Sequence, residues 1–84
     1  MRANKYVSWT QDGDNTIVVN SETQKGLSLD ATGTLIWNEI VGGGYSLEQI
    51  IRRIAVHYPA EQSKQIESDI RATVAVLHDN SMIT

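Results

Sequence analysis

The spacing of apolar positions changes near residue 30. Before it, side chains alternate with a period of two: Tyr6, Ser8 and Thr10 against Val7, Trp9 and Gln11, and then a β-branched run from Thr16 to Asn20. Period-two alternation is the pattern of a strand, and Asp12-Gly13-Asp14 between the two runs is turn chemistry, so a hairpin is predicted. A second polar turn, Ser21 to Lys25, leads into Gly26-Leu27-Ser28-Leu29, a short alternating segment that meanders back beside the second strand. As the last and shortest strand, it is expected at a sheet edge.

After residue 30 the spacing becomes helical. Asp30 and Thr32 are both suitable caps, and Leu35, Ile36, Trp37, Ile40 and Val41 form an apolar face that Gly42 to Gly44 terminates. Ser46 with Gln49 makes a capping box, followed by the stripe Leu47, Ile50, Ile51, Ile54, Ala55 and Tyr58, with Pro59 as the stop. A third helix is expected from Glu61 to Asp79, closed by Asn80 in the left-handed conformation, with Met82 and Ile83 folding back on the core. The order β-β-β-α-α-α predicts one α+β domain over residues 1–84, winged-helix-like, with a three-stranded antiparallel sheet followed by three helices.

On a helical projection of the third helix, Ile66, Ile70, Val74 and Leu77 fall within about 80° of one another, a core stripe. Lys64, Glu67, Arg71 and His78 gather on the far side. Between them lies a shoulder of Gln62, Asp69, Ala72, Thr73 and Val76, too apolar for a simple solvated face. Either it packs on the first helix, or it and the third strand line an open groove. An uncovered edge strand accepts an extended peptide through its free backbone groups, and pockets beside it supply sequence choice.

Composition narrows the function classes. With 84 residues the chain has room for one core and none for a deep internal pocket, which disfavours a self-contained enzyme. There are no cysteines, which removes disulfides, thiolate metal sites and a cysteine nucleophile. Seven Lys and Arg against ten acids give a net charge of −3, a poor match to nucleic acid. No segment reads as a signal peptide or membrane span, so a cytoplasmic location is expected. His57 and His78 have no Ser or carboxylate at an orienting spacing, Glu67 and Asp69 point about 160° apart, and the glycine run lacks a following Gly-Lys-Ser/Thr. Neither a catalytic set, nor a metal site, nor a cofactor site emerges.

The segment Leu27-Ser28-Leu29-Asp30-Ala31-Thr32-Gly33-Thr34-Leu35-Ile36-Trp37, then Ser46-Leu47-Glu48-Gln49-Ile50-Ile51, Tyr58, Asp69-Ile70 and Val76-Leu77, resembles the PqqD-like family, also called RiPP recognition elements. The likeness runs from Val18 onward. It departs from the family at Asn80, where a Gly is usual, and the first seventeen residues match poorly. The resemblance implies a leader-peptide-binding domain, in which the leader of a ribosomally made precursor adds as a strand to the third strand and lies against the third helix. On that basis Lys25, Gly26, Leu27, Ser28 and Leu29 offer one wall, Asp69, Ala72, Thr73 and Val76 the other, and Ile70 and Leu77 the floor. Asp69 would meet a basic or hydroxyl group of the leader, with Lys25 and Arg71 in lesser supporting roles.

The Ile36-Trp37 pair and the lack of a Cys-Asp-Gly segment within Asn38 to Gly44 look more like the stand-alone subunit of lasso-peptide systems than like PqqD of pyrroloquinoline quinone synthesis. That likeness implies a monomer whose partners are a precursor peptide with Tyr and Pro anchors, a transglutaminase-like leader protease and an ATP-dependent macrolactam-forming cyclase. The alternatives are a PqqD-type peptide chaperone and a small winged-helix DNA-binding regulator using Arg52 and Arg53.

Overall fold

The computed structural model describes all 84 residues. Strands β1 (Val7–Asp12), β2 (Asn15–Asn20) and β3 (Lys25–Leu29) form an antiparallel sheet in the order β1-β2-β3. Helices α1 (Ala31–Gly43), α2 (Leu47–Ala55) and α3 (Ser63–Asp79) follow, as the change of period predicts. The sheet register pairs Trp9 with Val18 and Val18 with Leu27, so these three share the inner face. Along β2, Thr16, Val18 and Asn20 are buried while Ile17 and Val19 face outward.

The core lies between that inner face and the helices. Ile36, Trp37 and Ile40 of α1, Ile50, Ile51 and Ile54 of α2, and Ile66, Ile70, Val74 and Leu77 of α3 meet Val18 and Leu29 there. Trp9 remains 43% exposed and sets its ring edge-on against buried Trp37, with centroids 5.3 Å apart. Helix α1 starts directly off β3: Asp30 caps it by accepting from the Gly33 N–H at 2.8 Å. Glycine at position 33 suits this tight exit, since a Cβ there would lie 3.0 Å from the Leu29 Cβ and press Leu29 to give by a few tenths of an ångström. Gly44 ends α1 with a φ of 64°, in the left-handed region.

The capping box of α2 forms as predicted, with Ser46 and Gln49 bonding each other's backbone. Its end does not. The helix stops at Ala55, and His57 and Tyr58 make tighter i to i−3 bonds to Ile54 and Ala55. Proline disfavours helical geometry in the residue before it, so the effect of Pro59 reaches back through Tyr58. The chain then makes a 3-10 turn at Ala60–Gln62 before α3 begins at Ser63, two residues later than predicted.

A second correction concerns the end of α3. Asn80 stays outside the left-handed region, with φ −97°, and Ser81 takes the left-handed position at φ 59°. The Ser81 N–H donates to the His78 carbonyl and the Met82 N–H to that of Leu77, a Schellman closure. Asn80 Nδ2 instead donates to the Val76 carbonyl at 2.8 Å. This closure turns Met82 and Ile83 back into the core, where Asn4 N–H bonds the Met82 carbonyl and Ala3 bridges Ile83. Buried Asn20 fastens the same region to the sheet: its Nδ2 donates to the Ser81 carbonyl, and its Oδ1 accepts from the N–H groups of Glu22 and Thr23.

Candidate functional site

Backbone alternation fixes which groups of β3 are free. In an antiparallel sheet, N–H and C=O of successive residues point to opposite neighbours. The Asn20 carbonyl accepts from Gln24, so Asn20, Val18 and Thr16 face β3, and their register partners Lys25, Leu27 and Leu29 face β2. Gly26 and Ser28 therefore turn their N–H and C=O away from the sheet. No strand pairs with that side.

A cavity of about 320 Å³ opens beside this edge. Its lining comes from Ser28 and Leu29 of β3, Asp30 and Gly33 at the start of α1, and Ala72, Thr73 and Val76 of α3. A second cavity of about 310 Å³ shares Asp30, Ala72 and Thr73 and adds Thr32 and Asp69, so the two form one groove with a polar end. Helix α3 packs its core stripe on α2 and α1 and leaves its shoulder open: Ala72 is exposed, Asp69 and Thr73 are half-buried, and Val76 is 49% exposed. Of the two readings of the shoulder, the open groove is the one found.

Among the residues predicted for the site, Ser28, Leu29, Asp69, Ala72, Thr73 and Val76 meet in this groove. Lys25, Gly26 and Leu27 lie further along the same edge, outside the cavities. Ile70 and Leu77, expected as the floor, are fully buried in the core and line neither cavity, so they have no surface open to the groove. Arg71 is on the other side of α3, where its guanidinium bonds Glu48 at 2.8 Å and Glu67 at 3.1 Å, and these hydrogen bonds raise its pKa further. Asp69 accepts from Gln65 Nε2 at 2.8 Å and has no cationic partner. Asp30, Thr32 and Gly33 also line the groove, though the sequence did not mark them as site residues. Their capping pattern was legible, but helix caps occur in every fold and carry no sign of a groove.

With these elements in place, the family can be assigned. A family model described as coenzyme PQQ synthesis protein D (PqqD) matches residues 15–83. The chain belongs to the PqqD family. Two solved structures share the PqqD fold seen here. One is TbiB1 in complex with the TbiA(β) leader peptide, with a TM-score of 0.84 and 23% identity over 99% of this chain and 94% of that one. The other is a lasso peptide synthetase B1 complexed with the leader peptide, with a TM-score of 0.79 and 22% identity over 99% of this chain and 95% of that one. No curated protein sequence matches the chain.

Elsewhere the chemistry is sparse. No three His, Cys, Asp or Glu side chains converge as a metal set, and His57 and His78 are both exposed. No helix is long and apolar enough to cross a membrane. Arg53, one of the adjacent basic pair, is committed to Glu39 at 2.5 Å and lies over the Tyr45 ring at 4.2 Å. Its hydrogen bond to Glu39 is the main cause of a raised pKa.

Proposed function

We propose that this chain is a non-catalytic module that binds the leader of a ribosomally synthesised precursor peptide of a lasso-peptide system. The leader pairs as a fourth strand with the open edge of β3 and sets its side chains against α3. The observation that carries this reading is the outward backbone of Gly26 and Ser28, left unpaired beside a groove whose far wall is the shoulder of α3. Backbone pairing supplies affinity, and Val76, Ala72 and Thr73 supply the choice of side chain. Family membership and the two leader-bound structural relatives support it. Held in this way, the leader keeps the rest of the precursor free for a leader protease and a macrolactam-forming cyclase. Each of them would dock on surfaces away from the groove.

The reading is tested by fluorescence anisotropy with a labelled synthetic leader from the neighbouring precursor gene, comparing wild type with Val76→Glu at two salt concentrations. Val76 is half exposed, so the substitution leaves the core alone while putting a charge on the groove wall. Wild type should bind with little salt dependence, and Val76→Glu should bind at least about tenfold more weakly, the effect of burying one unpaired carboxylate. Equal binding by both proteins would remove α3 from the site. Duplex DNA binding that falls steeply with salt would favour a nucleic-acid role through Arg52 and Arg53.

A further inference from the structure

Nothing in the free molecule requires a glycine at position 26. Its φ is not in the left-handed region, and a Cβ there would meet the Val18 carbonyl oxygen at 3.7 Å and the Val19 Cγ2 at 3.9 Å, ordinary contact distances. A glycine inside a strand weakens it and often marks a place where a ligand or another chain comes close. Gly26 stands opposite Val19 in the row Ser8-Val19-Gly26, on the outer face of the sheet, beside the row Thr10-Ile17-Ser28. Val19 and Ile17 are 39% and 48% exposed, and neither row holds a charged residue. The missing side chain at Gly26 leaves the flank of Val19 bare on the side toward the open edge of β3.

We propose that one large apolar side chain of the leader, on the residue paired with Gly26, lies across the bare glycine onto Val19. The inference rests on the strand pairing at β3 proposed above and adds to it a second recognition surface, on the sheet face opposite the groove. Residues in one row of a sheet project to the same face whichever way the strands run. The leader residues opposite Leu27 and Leu29 therefore point inward to α3, and the residue opposite Gly26 points outward, over the row that contains Val19. Two strand spacings separate the leader from β2, about 9.5 Å. The Val19 methyls cover part of that distance, and an aromatic or long aliphatic side chain covers the rest, because nothing at Gly26 stands between them. Large side chains laid over an edge glycine are a known means of fixing strand register. The leader segment that forms the strand is then apolar at adjacent positions, one facing α3 and the next facing Val19, where a strand read only by the groove would be apolar at alternate positions.

Methyl NMR of the protein bound to the synthetic leader, with anisotropy on variants, tests this. The Val19 methyls should show NOEs to one large apolar leader side chain, and alanine at that leader position should remove them and weaken binding roughly fivefold. Gly26→Val should keep or raise the melting temperature, since a Cβ has room there and β-branched residues favour strands, yet weaken leader binding by about the same factor. Val19→Thr, which keeps the branched shape, should weaken it about threefold. Val19 methyls without contact to the leader, or Gly26→Val binding as wild type does, overturn the proposal; the groove reading survives that result as long as Val76→Glu still loses binding. Conversely, full binding by Val76→Glu with the Val19 contacts present removes α3 from the site and upholds the outer contact. A wild type that binds no leader overturns both.

Discussion

Thr16 and Thr34 bring two hydroxyls into the core from β2 and α1 and bond each other at 2.9 Å, both almost wholly buried. Each satisfies a group that would otherwise be stranded without water. Thr34→Val leaves the Thr16 hydroxyl without that partner and should cost about 1–3 kcal/mol in urea unfolding. Adding Thr16→Val should recover much of the loss, since a pair of apolar groups of the same shape leaves nothing unsatisfied. Residue-level legibility was uneven for a physical reason. The caps Asp30 and Ser46 were readable because their partners lie three positions away. The Thr16–Thr34 bond, and the anchoring of Ser81 by Asn20, join residues 18 and 61 positions apart, and no local pattern selects such partners.

At the scale of elements, β3 and α3 divide the work of the groove between backbone and side chain. This makes a proline substitution informative, because proline removes a donor and is tolerated on an edge strand where that donor faces outward. Ser28→Pro should therefore keep the melting curve close to wild type yet reduce leader affinity by about tenfold or more in the anisotropy assay. Leu27→Pro, which removes a bond to β2, should unfold the sheet edge instead. The type and order of the three strands and three α-helices were legible, because period-two and helical spacing are local properties, whereas the 3-10 turn at Ala60–Gln62 was not. Helix ends were less so. Pro59 shortened α2 through the geometry of the residue before it, and Ser81 took the left-handed position expected of Asn80. The Schellman bonds to Leu77 and His78 set that position, and they form together with the packing of Met82, which is fully buried.

The whole molecule is a small domain with one core, so folding and binding are directly coupled. A ligand that binds only the folded state stabilises it by mass action, and leader at a hundredfold excess over its Kd should add about 2.7 kcal/mol. For a domain of this size that raises the melting temperature by roughly 10 °C or more, readable by differential scanning fluorimetry; Val76→Glu should lose the shift. The sequence by itself determined the α+β order, the core stripes, the hairpin and the weakly charged shoulder of α3, because each follows from local spacing of apolar side chains. The tertiary structure alone decided that the shoulder is left open and faces the free edge of β3, with Asp30, Thr32 and Gly33 completing the groove and Ile70 and Leu77 buried in the core. Spacing tells which face of an element is apolar. Which faces meet, and which are left apart as a groove, depends on packing between residues distant in the chain.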